Sequence, residues 1–210
     1  MRISVDGLVV TRGSFTLGPL SLSVESRECL VIMGPNASGK TTLLYALAGF
    51  LDPDEGRVEF DGRDATATPP EGRDLAFVFA EPALFPTMTV AENVAFSPRN
   101  GGPSDATVTG VMALLGIESL ANLRPATLST GQARRVELAR ALASHPRLLL
   151  LDEPYAAIHP ADRRVLASKV RDFARAEGMT IVHVTHLSED QDLGDRRLIL
   201  EGGRISSAVG

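Results

Sequence analysis

The sequence has few of the residues and segments that mark several classes of protein. Cys29 is the only cysteine among the 210 residues, so no disulfide can form within the chain, and a reducing compartment is its simplest setting. No apolar run approaches the roughly 20 residues that a membrane-spanning helix needs, and the segment "MRISVDGLVV" lacks the apolar core and cleavage site of a signal peptide. We therefore expect a soluble chain that takes a role at a membrane only through a partner.

The chain also lacks an excess of positive charge. It carries 21 basic and 26 acidic residues, which give a formal net charge of −5. Proteins that bind nucleic acid usually present a basic patch to the phosphate backbone, so we expect no nucleic-acid partner. The hydrophobic fraction of 44% is ordinary for a globular domain with a sizeable core.

Short apolar runs between turn signals predict the strands. The first 33 residues favour an antiparallel β region that leads into the buried strand "CLVIM", and "GRVEFDGRD" (56–64) predicts another strand and a turn. The remaining strand predictions are a buried strand at "LAFVF" (75–79), the run "RLLLL", the strand "TIVHVT" and a short final segment, "RLILEGGRI".

Helices are predicted where apolar residues recur at helical spacing and where capping residues or glycines mark an end. Ser104 is placed to cap a helix that runs to Leu115, and Ser129 to cap one that runs through Ala143. The segment "SPRNGGPS" (97–104) is the clearest loop. The other predicted helices are "KTTLLYALAGF", with Leu43, Leu44, Leu47 and Phe50 at helical spacing, and residues 160–177, ended by Gly178.

The alternation of strands and helices predicts an α/β protein with a mainly parallel sheet that is covered on both faces. From Pro82 to about Ala143 the helical signals are broken by proline and glycine, which favours a mostly helical lobe inserted into that core. We therefore expect a single domain over 1–210. In it, 1–80 and 145–210 form the α/β core with an antiparallel β subdomain, and about 81–144 form a helical subdomain.

The segment "GPNASGKT" (34–41) matches the phosphate-loop pattern G-x-x-x-x-G-K-[ST], between an apolar strand and a helix. A chance glycine-rich turn is the weaker alternative, because strand, loop and helix occur in the required order. Lys40 would reach the β- and γ-phosphates of a bound nucleotide, and the Thr41 hydroxyl would hold Mg²⁺. The predicted nucleotide-binding residues are Gly34, Pro35, Asn36, Ala37, Ser38, Gly39, Lys40, Thr41 and Thr42.

An acidic pair and a histidine follow two other predicted strands. Asp152 ends the run "LLLLD", where a P-loop enzyme places the aspartate that serves Mg²⁺. Glu153, one residue on, is placed to take a proton from an attacking water. His186 follows "TIVHVT", at the strand end where open α/β sheets place ligands, and would donate a hydrogen bond to the γ-phosphate. His183, inside the apolar run, is expected to be a core or sheet-face residue.

A second anion site is predicted in "LSTGQARRVELARAL" (128–142), where Ser129 and the N–H groups near Gly131 begin a helix. Two chains arranged head to tail could each place this site over the other's ATP. The order "GPNASGKT", "EPALFPTMTVAENV", "LSTGQ", "LLLLDEP" and "VTH" resembles the ATP-binding subunits of ABC transporters over nearly the whole chain, and import-type subunits most.

The resemblance implies an α/β ATPase core with an antiparallel β subdomain and a helical subdomain. It also implies that two ATP-binding subunits, identical or different, sandwich two ATP molecules and drive integral-membrane transporter subunits from the cytoplasmic face of the cell membrane. The residues that would act on the partner's ATP are Ser129, Thr130, Gly131 and Gln132.

The resemblance further implies that "EPALFPTMTVAENVAF" faces the membrane partner. The apolar side chains of Leu84, Phe85 and Met88 suit such a contact, and the alternative is that they belong to the core of the helical lobe. Because the sequence ends soon after the predicted core, we expect no large C-terminal regulatory domain.

Three departures from the family's pattern bear on hydrolysis. Ala80 stands where the family places a glutamine that helps to hold Mg²⁺ and the water, and a methyl group cannot do so. Thr130 replaces a usual glycine, and His159 replaces an aspartate that bridges to the partner's site. The segment that ends in His159, "AAIH", replaces serine, alanine, leucine and aspartate.

These departures predict a working but slow ATPase, since a lost polar contact in the transition state costs roughly 1–3 kcal/mol. One alternative is a nucleotide-binding subunit with weak or no hydrolysis that pairs with a catalytic paralogue. Another is a soluble ABC-type ATPase that acts without a transporter. Phe15 is the candidate to stack on adenine, and its alternative is a core residue of the β region.

Overall fold

The computed structural model describes residues 1–97 and 102–209, so residues 98–101 of the predicted loop lie outside the described residues. The strands are β1 (Ile3–Arg12), β2 (Phe15–Val24), β3 (Cys29–Met33), β4 (Glu55–Phe60), β5 (Arg63–Asp64), β6 (Leu75–Val78), β7 (Leu148–Asp152), β8 (Thr180–Thr185), β9 (Arg196–Glu201) and β10 (Arg204–Val209). The α-helices are α1 (Lys40–Ala48), α2 (Val90–Ala95), α3 (Asp105–Leu115), α4 (Thr130–Ala143) and α5 (Pro160–Ala176).

The strands form two sheets. The larger sheet has the order β10-β9-β3-β8-β7-β6, and its pairs from β9 to β6 are parallel, whereas β10 is antiparallel to β9. The smaller sheet has the order β2-β1-β4-β5 and is antiparallel in every pair. The predicted α/β class, with a mainly parallel sheet and an antiparallel β region, is therefore confirmed.

The larger sheet is buried on both faces, which explains the continuous apolar runs of its central strands. Along β7, Leu149 and Leu151 face a core that includes residues of α2, α3, α4 and α5. Leu148 and Leu150 face the opposite core, which joins α1 and the smaller sheet to the larger one. No helix among the described residues is long and apolar enough to cross a membrane.

The helices α3 and α4 begin at the predicted capping residues. Ser104 accepts a hydrogen bond from the N–H of Thr107 at 3.2 Å. Ser129 accepts one from the N–H of Gln132, whose side-chain oxygen accepts in return from the N–H of Ser129 at 2.8 Å. These reciprocal bonds satisfy two N–H groups that a helix start otherwise leaves unpaired, so both helix starts were predictable from local sequence.

Two predictions were wrong in detail. The helix α1 ends at Ala48, because Gly49 adopts a φ of +80° and closes the helix, so Phe50 lies outside it and is 44% exposed. The strand β6 is an edge strand of the larger sheet, and of its residues only Val78 is fully buried. An apolar run does not distinguish an edge strand from a central one, since this depends on the pairing of distant segments.

Candidate nucleotide site

The predicted phosphate loop, acidic pair and histidine lie at the carboxyl ends of β3, β7 and β8, which are neighbours in the larger sheet. The loop 34–39 follows β3, Glu153 follows β7, and His186 follows β8. In open α/β sheets, ligands bind in the crevice at this edge. Parallel pairing therefore brings together three segments that are far apart in the sequence.

Two glycines allow the loop 34–39 to lie close to its surroundings. A Cβ atom on Gly34 would lie 2.1 Å from the carbonyl oxygen of Leu200 in β9. Gly39 has a φ of +103°, and a Cβ atom there would lie 2.9 Å from the ring of Phe15. Glycine is required at Gly34 because a side chain would collide with the backbone of β9, and at Gly39 because its φ would strain any residue with a side chain.

The loop also holds a buried cation. Lys40 is 6% exposed, and its Nζ donates to the carbonyl oxygens of Gly34 at 2.8 Å and Pro35 at 2.9 Å. Burial lowers the pKa of Lys40, although the charges of nearby carboxylates oppose this shift. The Ser38 hydroxyl is buried without a hydrogen-bond partner in the described part of the chain. A buried ammonium beside an unpaired hydroxyl and a helix N-terminus fits a phosphate group.

Thr41 and Asp152 form a pair of oxygen donors. The Thr41 hydroxyl donates to Oδ2 of Asp152 at 2.9 Å, although the two residues are 111 positions apart. Burial raises the pKa of Asp152, while the hydrogen bond from Thr41 opposes that shift. A hydroxyl and a carboxylate are the hard oxygen ligands that Mg²⁺ prefers. The pair therefore fits the magnesium site that the sequence predicts.

Glu153 has a strained backbone and a fixed carboxylate. Its φ of +49° is unusual for a residue with a side chain, and its N–H donates to the carbonyl oxygen of Val184 at 3.0 Å. Oε1 of Glu153 lies 2.8 Å from Nδ1 of His186, and Oε2 accepts from the Thr185 hydroxyl at 3.4 Å. A carboxylate held in this way is suited to accept a proton.

Thr185 was not among the predicted site residues. Its hydroxyl lies between two carboxylates, 3.4 Å from Oε2 of Glu153 and 2.9 Å from Oδ2 of the buried Asp190. The signal was present in the sequence, because Thr185 is the hydroxyl-bearing residue directly before His186 in "VTH". His183 is 2% exposed, as expected for a core or sheet-face residue.

The phosphate loop and the acidic pair border a cleft of about 360 Å³, which is lined by Phe15, residues 36–42, Ala80, Asp152 and Glu153. Phe15 is only partly buried, so it lines the cleft and also packs against the core that contains α1. The packing agrees with the alternative of a core residue, and stacking on adenine stays a prediction. Ala80 lines the cleft with a methyl group.

The segment "LSTGQ" lies elsewhere in the same chain. Ser129 and Thr130 are exposed at the start of α4, and among the described residues that line the cleft none comes from 129–132. A Cβ atom on Gly131 would lie 3.2 Å from the carbonyl oxygen of Ala157, in the segment after the acidic pair. In that segment Nδ1 of His159 accepts from the N–H of Ala161 at 3.3 Å and caps α5.

The fold is shared with solved ATP-binding cassettes. A nucleotide-free ATP-binding cassette from an ABC transporter aligns with a TM-score of 0.86 and 28% identity, over 99% of this chain and 91% of that one. A cassette in a dimeric post-hydrolysis state, bound to ADP and Pi, aligns with a TM-score of 0.86 and 27% identity, over 99% of this chain and 97% of that one.

Two curated relatives have higher sequence identity. The molybdate/tungstate import ATP-binding protein of Thermococcus kodakarensis is 40% identical over 98% of this chain. A sulfate/thiosulfate import ATP-binding protein of Agrobacterium fabrum is 41% identical, also over 98% of this chain. The chain spans 64% and 62% of the length of these two relatives. The ABC transporter family model matches residues 17–156, so this chain belongs to the ABC transporter family.

Proposed function

We propose that the chain is the ATP-binding and ATP-hydrolysing subunit that energises an ABC transporter, and that the transporter imports a small solute. The observation that carries this proposal is the convergence on one cleft of a buried lysine, the Thr41–Asp152 pair and Glu153, whose carboxylate contacts His186. These are the positive charge, the oxygen donors and the base that phosphoryl transfer to water requires.

In the proposed reaction, water attacks the γ-phosphorus of ATP, and the bond from that phosphorus to the bridging oxygen of ADP breaks. Glu153 takes the proton that the water loses, while His186 orients its carboxylate through their 2.8 Å contact. Lys40 places its charge beside the phosphates. Thr41 and Asp152 would hold Mg²⁺, which supplies charge neutralisation on the phosphate oxygens.

Two further parts of the proposed site are an aromatic side chain of this chain and a segment that acts on the ATP of a second subunit. Phe15 would stack on adenine at the edge of the cleft. Ser129, Thr130, Gly131 and Gln132, exposed or partly exposed at the start of α4, would close over the ATP of the second ATP-binding subunit. In this proposal, residues 81–144 act as a helical subdomain and the rest of the chain as the α/β core.

An aromatic groove on the surface supports the proposal of a membrane partner. A groove of about 400 Å³ is lined by aromatic side chains that include Phe77, Phe79, Phe85 and Phe96, and Phe96 is 37% exposed. Exposed apolar patches of this kind mark interaction sites. We propose that this groove receives an integral-membrane subunit, which would hold the chain at the cytoplasmic face of the membrane.

The groove also bears on the alternatives for the segment "EPALFPTM". Leu84 packs against the core that contains α4, as one alternative predicts. Phe85 instead lines the groove and contacts Phe96 at a centroid distance of 4.4 Å. The proposed transporter imports a small solute. Because the two relatives above are named for importing oxyanions, an oxyanion is the first class of solute to test.

The test is Mg²⁺-dependent phosphate release by the purified chain beside Lys40→Ala and Glu153→Gln. We expect turnover in the wild type and none in either variant. ATP binding, measured separately, is expected to persist in Glu153→Gln and to weaken in Lys40→Ala, because only the second change removes charge at the phosphates. Turnover no higher than that of Glu153→Gln would exclude the proposed hydrolysis.

Ala80 and His159 favour a second candidate function, a nucleotide-binding subunit that hydrolyses weakly or not at all and pairs with a catalytic paralogue. ATP binding without turnover, together with crosslinked mixed dimers, would support it. Copurification distinguishes these two functions from a soluble ABC ATPase that acts without a transporter. A transporter subunit should copurify with an integral-membrane protein.

A further inference from the structure

Three charged side chains of α4 face the segment that follows β6. Arg134 and Glu137 are each 1% exposed, and Arg140 is partly buried. Nη1 of Arg134 lies 2.7 Å from Oε2 of Glu137, one helical turn further along. These three residues are named the α4 charged cluster.

Arg134 connects α4 to the wall of the nucleotide cleft. Its guanidinium donates hydrogen bonds to the carbonyl oxygens of Phe79 and Ala80, 55 and 54 residues earlier in the chain. Ala80 lines the cleft, and its methyl side chain can make no hydrogen bond of its own. The backbone of this part of the wall therefore accepts hydrogen bonds from a side chain of α4.

The other two members of the α4 charged cluster fix the next residues of the same segment. Oε1 of Glu137 accepts from the N–H of Ala83 at 3.3 Å, and Nη2 of Arg140 donates to the carbonyl oxygen of Ala83 at 2.7 Å. The guanidinium of Arg140 also lies over the ring of Phe85, 5.3 Å from its centroid. Since Glu137 and Arg140 line the aromatic groove, the cluster lies between that groove and the cleft.

Stability alone is a poor reason for this arrangement. Burial lowers the pKa of Arg134 and raises that of Glu137, which shows that both charges are costly to keep inside the protein. A buried ion pair is often no more stabilising than apolar side chains of similar volume. Apolar side chains, however, could not bind the carbonyl oxygens of Phe79 and Ala80.

We propose that Arg134, on α4, is a positioning residue of the cleft. Its hydrogen bonds to the backbone of residues 79–80 fix the position of Ala80, and Glu137 holds the guanidinium in place. The inference rests on the ATPase activity proposed above. It gives the start of α4, where "LSTGQ" lies, a direct mechanical connection to the chain's own cleft.

The first test measures amide hydrogen exchange at Ala80 and Glu81 of the chain without nucleotide. These two are chosen because Pro82 has no amide hydrogen and the N–H of Ala83 is bound by Glu137 itself. The variant is Arg134→Met combined with Glu137→Met, which removes both charges together and leaves neither unpaired. We expect exchange at these two residues to be faster by about tenfold or more, with little change in global stability. The matched control is Arg135→Met, since Arg135 is on the same helix but contacts Leu115 and Asp162 instead.

The second test is steady-state ATPase activity. In the double variant we expect kcat to fall about tenfold, while the KM for ATP changes by less than about twofold, because the phosphate-binding groups are untouched. Arg134→Lys is expected to give an intermediate kcat. A lysine keeps the charge beside Glu137 but lacks the planar fork that reaches two carbonyl oxygens.

Unchanged exchange at Ala80 and Glu81 together with a wild-type kcat in the double variant would overturn the inference. If the double variant does not fold, Arg134→Lys serves as the test variant. Wild-type exchange and a wild-type kcat in Arg134→Lys would then overturn the inference. Absence of turnover in the wild type itself would exclude the proposed ATPase. The exchange measurement would still test whether Arg134 fixes the wall.

Discussion

Nδ1 of His186 lies 2.8 Å from Oε1 of Glu153, although the two residues are 33 positions apart in the chain. They meet because β7 and β8 are parallel neighbours, so the residues after both strands lie at the same edge of the sheet. The side chain proposed to take the proton is thus oriented by one that follows a different strand.

Replacing His186 by alanine should slow ATP hydrolysis and leave ATP binding intact. Loss of a hydrogen bond to a charged group costs about 1.5–3 kcal/mol, so we expect kcat to fall roughly 10- to 150-fold. The matched control is His145→Ala. His145 has the same 41% side-chain exposure and also pairs with a glutamate, Glu177 at 3.2 Å, but Glu177 is not among the described residues that line the cleft, whereas Glu153 is. Equal losses in the two variants would contradict the role of His186.

Replacing Ala80 by glutamine should increase the rate of hydrolysis. Ala80 is exposed in the wall of the cleft, so a longer side chain has room, and its amide oxygen could contribute a polar contact worth roughly 1–3 kcal/mol. We expect kcat to rise about fivefold or more. Ala80→Leu supplies similar volume without a polar group and should give no increase. A rise in both variants would show that volume rather than polarity is responsible.

His183 should make the protein less stable in mild acid. Burial lowers its pKa from 6.5 to about 3, so between these values the unfolded chain binds a proton that the folded chain does not. The free energy of unfolding therefore falls as the pH decreases through this window. Relative to His183→Gln, the wild type should lose about 2 kcal/mol between pH 7 and pH 5, measured by urea unfolding. A constant difference between the two proteins would refute this.

Two glycine-to-alanine changes should have opposite effects. Gly34→Ala places a methyl group 2.1 Å from the carbonyl oxygen of Leu200, so we expect a loss of about 1–3 kcal/mol in stability and weaker ATP binding. Gly110 lies inside α3 with open space at its Cβ position, and Gly110→Ala should stabilise the protein by about 0.5–1 kcal/mol. Urea unfolding of both variants checks the pair, and effects of the same sign would contradict the prediction.

Much of the fold could be predicted because its signals are local. The caps at Ser104 and Ser129 mark helix starts through hydrogen bonds that span three residues. Apolar runs likewise predicted the central strands. The edge position of β6 could not be predicted, and neither could the contacts of Arg134 with Phe79 and Ala80, since both depend on segments that meet only after the sheet has formed.

The sequence by itself determined which chemical groups are available. These are a phosphate loop with Lys40 and Thr41, the acidic pair Asp152 and Glu153, and a methyl group at Ala80. Only the tertiary structure decided which of these groups meet. Strand order fixes the distance between residues that are far apart in the chain. The 2.9 Å contact of Thr41 with Asp152 therefore follows from the order β3-β8-β7 in the larger sheet. Hydrogen bonds act over a few ångströms, and the sheet brings distant residues within that range.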